Sequence, residues 1–176
     1  MKDIKQAQSY ANVAKEIENR GKNMLMLNCF AERAREQGYF TVAAKFDSIV
    51  RQEREHCRSL YRIMEDGNDI DTLANLIYCA GELHRSGERL RDAFSKTASE
   101  EGFGYLAKVM NEIADVDSRT EEEIKSVMSD LKVGKLYTSD SESRWQCIKC
   151  GCSCEGKSAP EFCPLCNSQK GFFIRR

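Results

Sequence analysis

Four cysteines near the C-terminus have the spacing of a metal site. They form two Cys-x-x-Cys pairs, Cys147 with Cys150 and Cys163 with Cys166, and twelve residues separate the pairs. Each pair turns two thiolates toward one point, so two pairs make a tetrahedral site for iron or zinc. The ligands alone do not distinguish these metals, because both accept four thiolates. We expect one metal ion at this site.

Cys152 and Cys154 lie directly after the first pair. They could replace a ligand, bind a second soft metal, or act together as a redox thiol pair. We favour the interpretation that they are spare thiols beside the site.

Glu53 and His56 are a second pair of residues that could bind a metal or take part in a reaction, because they interrupt an otherwise apolar row. The row advances in steps of four and three residues, which is the repeat of a helix face that packs on a core. Its apolar members are Val42, Phe46, Ile49, Leu60 and Ile63. A carboxylate and an imidazole at positions i and i+3 therefore point inward together. A buried carboxylate needs a partner, such as a cation, a metal or several hydrogen-bond donors.

Composition favours a helical protein. The chain has 176 residues, of which 31% are charged and only two are proline, which favours long amphipathic helices over a sheet. The net charge is −1, too mild for a nucleic-acid-binding protein. Neither a signal-peptide pattern nor an apolar stretch of membrane-spanning length is evident, so we expect a cytoplasmic protein that binds no membrane and no nucleic acid.

An internal repeat divides the chain into elements. The segment Ala34–Tyr39 resembles Ala98–Phe103 at a spacing of 64 residues, and the same spacing pairs apolar positions on both sides. The pattern predicts two copies of a helix hairpin, packed as a four-helix bundle. We place the bundle at residues 1–136, a polar linker at 137–143 and a small cysteine domain at 144–176.

The repeat also aligns polar positions from all four helices. It pairs Glu53 with Asp117, His56 with Thr120, and Arg20 with His84. One layer of the bundle would then contain a polar group from every helix, which is not the pattern of a plain apolar core.

These motifs together resemble the rubrerythrin family, which joins a ferritin-like di-iron bundle to a rubredoxin-like domain. The resemblance covers nearly the whole chain and rests chiefly on Gln52–His56 and on the run from Trp145 to Cys166. It implies a di-iron centre that reduces hydrogen peroxide, a rubredoxin-type iron that supplies electrons, and a homodimer. It also favours iron over zinc at the four cysteines.

The bundle departs from the family at its ligand positions. Arg20 stands where the family has its first-helix Glu, and Asp117 to Thr120 replaces a Glu-x-x-His. A second metal site would have only Glu53, His56, Glu82 and Asp117 as ligands. Since a guanidinium cannot lose its proton, we predict instead a degenerate site in which Arg20 forms ion pairs with Glu53 and Asp117.

The sequence therefore predicts a redox protein that transfers electrons through one iron, and a partner protein that exchanges them. We assign no catalytic residues. Two alternatives remain open: a peroxide-reducing rubrerythrin with a rebuilt di-iron site, and a zinc-ribbon protein that serves as an interaction module or scaffold. Whether the protein is an enzyme depends on which of them holds.

Overall fold

The computed structural model describes residues 7–65 and 71–176. The chain divides into two compact units between residues 70 and 71, and each unit is described by itself. The sequence Asp66-Gly67-Asn68 predicts a turn that ends the second helix, and Asp69 is, beside Asp71, a predicted cap of the third helix. The turn and Asp69 both lie outside the described residues.

The first unit is a hairpin of two long helices. Helix α1 spans Gln8–Glu36 and α2 spans Phe40–Met64. The second unit begins with α3, Thr72–Arg89, which continues through a π-helical turn at Leu90–Phe94 into α4, Ser95–Glu100. Helix α5, Gly104–Lys132, packs back against α3 and α4. The predicted helices are thus present, and each hairpin matches one copy of the repeat.

The two hairpin turns have the same construction. Gly38 and Gly102 adopt φ angles of +80° and +86°, a left-handed conformation that glycine reaches without a steric penalty. The next residue in each turn donates its N–H to the helix it follows, from Tyr39 to Ala34 and from Phe103 to Ala98. The second unit also has a side-chain cap, because the Asp71 carboxylate accepts the N–H groups of Leu73 and Ala74.

Small side chains hold each hairpin together. In the first hairpin the buried positions include Ala31, Ala43 and Val50. The second hairpin buries Ser95, Ala107 and Ala114, which lie 64 residues further along. Small residues let two helix backbones approach closely, so this row forms the contact within each hairpin.

The larger apolar row lies one residue away and is only partly buried. We predicted that this row faces the core, yet Val42 and Ile63 are 47% and 53% exposed, and Leu106 and Ile113 are 45% and 46% exposed. Each hairpin therefore buries its small-residue row between its own helices and leaves its large apolar row only partly buried.

The π-helical turn explains a second difference from the prediction. Phe94 continues the apolar pattern of α3 in steps of three and four, but it is 47% exposed. A π turn inserts one extra residue into a helix, so Ser95 and Ala98 take the inward positions instead.

The small domain is a three-stranded antiparallel sheet with strand order β2-β1-β3. The strands are β1 (Thr138–Cys147), β2 (Ser153–Ser158) and β3 (Phe173–Arg175), and a 3-10 turn at Lys170–Phe172 precedes β3. The predicted linker at 137–143 differs from this structure, because β1 begins at Thr138. Its pairing with β2 shifts register between Thr138 and Ser143, and this irregularity accommodates the Ser- and Asp-rich sequence.

The predicted fold class is confirmed: the described residues are mainly α, with long helices of ferritin-like type in two hairpins, followed by a small rubredoxin-like domain. In the described part of the chain, no helix combines the length and the apolar character needed to span a bilayer.

Candidate metal centre

The four predicted cysteines converge on one point. The sulfur atoms of Cys147, Cys150, Cys163 and Cys166 all lie within 4.8 Å of one another. The Sγ–Sγ distance is 3.5 Å between Cys150 and Cys163 and 3.8 Å between Cys147 and Cys166. This arrangement fits a single tetrahedral metal ion bound by four thiolates.

The two Cys-x-x-Cys pairs form knuckles with matching backbone hydrogen bonds. Gly151 donates its N–H to the carbonyl of Cys147, and Asn167 donates to Cys163, each at 2.8 Å. Both donors have positive φ angles, +78° for Gly151 and +55° for Asn167. Glycine and asparagine tolerate this conformation best, so each residue fits the position that closes its knuckle.

The knuckles are attached to the core of the small domain. Trp145 and Phe173 are buried together with Cys147 and Cys163. The Trp145 indole N–H donates to the carbonyl oxygen of Gly156 at 2.9 Å, which satisfies its one polar atom. The ligands are therefore held by a packed core and not by a loop alone.

Two of the thiols, Cys166 and Cys150, differ in proton affinity because their surroundings differ. The hydroxyl and the N–H of Ser168 lower the pKa of Cys166 to about 6, with the Ser168 oxygen 3.1 Å from the sulfur. At Cys150 the N–H of Cys152 favours the thiolate, but burial and the three other thiols outweigh it and raise its pKa to about 12. A metal cation binds thiolates, so loading this site releases protons.

Cys152 and Cys154 are beside the site but outside the converging group. Both are partly buried against the core that contains the ligands. Burial, followed by the neighbouring thiols of Cys163 and Cys154, raises the pKa of Cys152. This placement agrees with our interpretation of spare thiols near the site.

In the first hairpin, Arg20 occupies the predicted position beside Glu53. The Arg20 Nη1 donates to Glu53 at 2.7 Å and lies 3.1 Å from Nδ1 of His56. Its other terminal nitrogen is 2.8 Å from Glu16. The predicted ion pair between Arg20 and Glu53 is confirmed, whereas a contact between Arg20 and Asp117 stays a prediction.

The other two candidate ligands of the second site lie on the second hairpin. Glu82 is exposed and forms an ion pair with Arg85 of its own helix. Asp117 is half-buried against Gly87 of α3. Apart from the four cysteines, no group of three or more potential ligands converges among residues 7–65 and 71–176.

Glu121 is a buried carboxylate that the sequence analysis missed. It lies 3.2 Å from Nδ1 of His84 and also pairs with Lys125. The hydrogen bond from Lys125 is the main reason why the pKa of Glu121 falls below its ordinary value, with burial opposing and His84 assisting. The repeat aligns Glu121 with the half-buried Cys57, and that alignment is the signal that could have identified it.

The comparisons with known proteins agree with this site. A family profile described as "Rubrerythrin, rubredoxin-like domain" matches residues 145–174. A rubrerythrin from Porphyromonas gingivalis is 30% identical over 158 residues, covering 82% of this chain and 78% of that protein. A rubrerythrin from Nitratidesulfovibrio vulgaris is 28% identical over 184 residues, covering 98% and 96%. A solved structure of partially reduced nigerythrin is 24% identical and covers 97% of this chain and 87% of that chain, with a TM-score of 0.36. With this identity and coverage to known rubrerythrins, and with the four-cysteine site in place, the chain belongs to the rubrerythrin family.

Proposed function

We propose that this protein transfers electrons through one iron ion held by Cys147, Cys150, Cys163 and Cys166, and that the di-iron site of its helices is largely lost. The observation that carries the proposal is the position of Arg20, whose guanidinium contacts both Glu53 and His56. These two residues are the only part of the family's ligand pattern that the sequence retains without change.

The charge of Arg20 argues against two iron ions at this place. A di-iron site of this type is neutralised by about four carboxylates. Here the Glu53 carboxylate is already paired with a guanidinium that stays protonated. A metal ion would have to displace that pair and then tolerate the repulsion of Arg20.

The four-cysteine site fits iron, which supplies a one-electron couple between its ferric and ferrous states. The rubredoxin-like profile and the rubrerythrin relatives support iron over zinc. The protein's own contribution is to hold four thiolates and to direct the N–H of Cys152 and the hydroxyl of Ser168 at two of them. Such donors stabilise charge on sulfur and thereby set the potential.

Electrons would enter or leave on one side of the site. Cys147 and Cys163 are buried, while Cys150 and Cys166 are only half-buried. Ile148 and Leu165, which lie inside the two knuckles, are strongly exposed. A redox partner protein could dock on this apolar rim, close to the metal.

The free cysteines fit the reducing cytoplasm, which we include in the proposal together with a homodimer.

The proposal is tested by the colour, the metal content and the redox behaviour of the purified protein. We expect a red protein with one iron per chain that is reduced by one electron and has little peroxidase activity. Three iron atoms per chain with rapid peroxide reduction would restore the di-iron peroxidase. A colourless protein that contains zinc after growth in iron-rich medium would instead indicate a zinc-ribbon interaction module.

A further inference from the structure

We infer that Cys152 and Cys154 form a redox-active thiol pair, which closes to an intramolecular disulfide by exchange with small-molecule disulfides while the four metal ligands stay in place. The inference rests on the placement of these two side chains beside the metal centre. It requires a metal ion in the four-cysteine site, but it depends neither on the identity of that ion nor on electron transfer through it.

The two cysteines lie on one face of the chain, two residues apart. Strand β2 begins at Ser153, so Cys154 is inside the strand and Cys152 directly precedes it. Exposure alternates along this stretch, because Cys152 and Cys154 are half-buried whereas Ser153 between them is exposed. Side chains at positions i and i+2 of an extended chain point to the same side. Both thiols therefore face the core of the small domain, against which they pack.

The two thiols are close enough to be joined. The thiol of Cys152 has the thiols of Cys154 and Cys163 as its neighbours. An extended chain advances about 3.3 Å per residue, which separates the Cα atoms of Cys152 and Cys154 by about 6.6 Å. A disulfide can span Cα atoms up to about 7 Å apart when their Cβ atoms point to the same side. A bond between the two cysteines is therefore within reach without a rearrangement of the sheet.

The metal centre decides which of its two neighbours Cys152 joins. Cys163 belongs to the four converging sulfur atoms. A thiolate bound to a metal ion donates its electron pair to that ion, and it is then less available to attack another sulfur. Cys154 lies outside the converging group and is the free neighbour. In the loaded protein the pair is therefore Cys152 with Cys154, both of them spare as metal ligands.

The backbone around the metal centre holds the two cysteines near each other. The carbonyl oxygen of Cys152 accepts the N–H of Cys147 at 2.8 Å, and the N–H of Cys152 is directed at the sulfur of Cys150. Cys154 is held opposite Trp145 in the ladder between β1 and β2. Groups that are fixed in proximity react as if each were present at a high local concentration. The fold therefore favours reaction of one thiol with the other over reaction with a second small molecule.

The surroundings of the pair favour a small molecule as its reaction partner. Strand β2 is an edge of the three-stranded sheet, and each of the two thiols is only partly covered. A half-buried sulfur admits a small, flexible disulfide more readily than the surface of another folded protein. In the reducing cytoplasm proposed above, disulfides are usually transient and serve in catalysis or redox sensing, which fits a pair that opens and closes by exchange.

The exchange has two balanced steps. The thiolate of one cysteine attacks a sulfur of the small disulfide, breaks its S–S bond and releases one small thiol. The second cysteine then attacks the protein-bound sulfur of this mixed disulfide and releases the second small thiol. Two electrons pass from the pair to the small disulfide, and the protons of Cys152 and Cys154 end on the two released thiols.

Oxidised glutathione is the probe that tests this exchange. The metal-loaded protein is incubated with it, its metal content is measured, and the reaction is quenched in acid. The protein is then alkylated and digested with trypsin, which releases residues 150–157 as one peptide for mass spectrometry. We expect mainly a peptide in which Cys150 is alkylated and Cys152 is joined to Cys154, from protein that keeps its metal. Lasting glutathione adducts, unreacted thiols at both positions, a bond from Cys152 to Cys163 or release of the metal would overturn the inference.

Single serine variants provide the matched test. In Cys152→Ser and Cys154→Ser the second step is blocked, so the remaining cysteine of the pair should retain glutathione at least about tenfold more than in the native protein. Full metal content in both variants shows that the small domain is folded. Cys79→Ser removes an exposed thiol of α3, and it should form the disulfide between Cys152 and Cys154 as the native protein does. Equal amounts of glutathione adduct in the native protein and in both pair variants would contradict the pairing.

Discussion

Ser168 and Arg20 are not metal ligands, but each contacts a residue that could be one. The Ser168 hydroxyl lies 3.1 Å from the sulfur of Cys166, and the Arg20 guanidinium lies 2.7 Å from Glu53. The first contact stabilises a thiolate in a metal site, whereas the second places a fixed positive charge beside a carboxylate. The contact of Ser168 therefore favours metal binding at the cysteines, whereas the contact of Arg20 opposes metal binding at Glu53.

If the four cysteines hold iron, as proposed, replacing Ser168 with Ala should lower its reduction potential. The thiolates carry more negative charge in the ferrous state, so the hydroxyl stabilises the reduced form more than the oxidised form. We expect a shift on the order of 59 mV, which corresponds to a tenfold change for one electron, measured by potentiometric titration. The exposed Ser158→Ala is the control, and equal potentials in Ser168→Ala and the native protein would contradict the role of the hydroxyl.

Replacing Arg20 with Glu should increase metal binding by the helices. The change removes the repelling charge and adds a carboxylate beside Glu53 and His56. Isothermal titration with ferrous iron, in a protein whose four tail cysteines are mutated, should show at least tenfold tighter binding than with Arg20. The exposed Lys22→Glu, on the same helix, controls for net charge. No gain over that control would count against the view that Arg20 displaced a metal.

At the scale of elements, the difference between the predicted and observed helix faces has a specific cause. Apolar periodicity places Val42 and Leu106 in regular apolar rows, but it wrongly predicts that these side chains are buried, since they are 47% and 45% exposed. It does not reveal that each hairpin packs through the adjacent small residues, such as Ala43 and Ala107, because periodicity ranks side chains by hydrophobicity and not by how closely two backbones approach. The π turn was equally hidden, since its only trace is one extra residue before Ser95.

The two mid-helix glycines should respond differently to substitution. A Cβ at Gly21 would meet no atom within 4 Å, whereas one at Gly87 would lie 3.5 Å from the Ala114 carbonyl oxygen. We expect Gly21→Ala to stabilise the protein by about 0.5–1 kcal/mol through helix propensity. Gly87→Leu should destabilise it by about 1–3 kcal/mol through overpacking. Chemical denaturation measures both, and equal effects at the two positions would contradict the close packing assigned to Gly87.

Acid should weaken the second hairpin through Glu121. Its pKa lies below the ordinary value of 4.5, chiefly because Lys125 donates to it. A carboxylate with a lowered pKa stabilises the fold above its ordinary pKa, and this contribution is lost as the pH falls through the folded value. The melting temperature should therefore drop below about pH 4.5 more steeply in the native protein than in Glu121→Gln. The exposed Glu122→Gln should behave like the native protein. Matching pH profiles for the native protein and Glu121→Gln would contradict this account.

Across the whole molecule, the small cysteine domain could be predicted from the sequence more completely than the contacts between the helices. The cysteine spacing predicted the metal centre, its four ligands and its small domain, because two Cys-x-x-Cys knuckles dictate most of the local geometry. In the helices, the sequence predicted the elements and the pairing of Arg20 with Glu53. It did not predict Glu121, which is buried beside a histidine 37 residues earlier in the chain. The contact between Glu121 and His84 depends on the packing of two helices, and in the sequence only the alignment of Glu121 with Cys57 in the repeat indicates it.

If the four cysteines hold the protein's only redox metal, as proposed, a variant without them should contain almost no iron. The protein with Cys147, Cys150, Cys163 and Cys166 all changed to Ser is loaded anaerobically with excess ferrous iron, desalted and analysed for iron. We predict less than about 0.2 iron atoms per chain, because Arg20 remains paired with Glu53. About two iron atoms per chain would contradict the account, since a pair of irons in this variant could be held only by the helices.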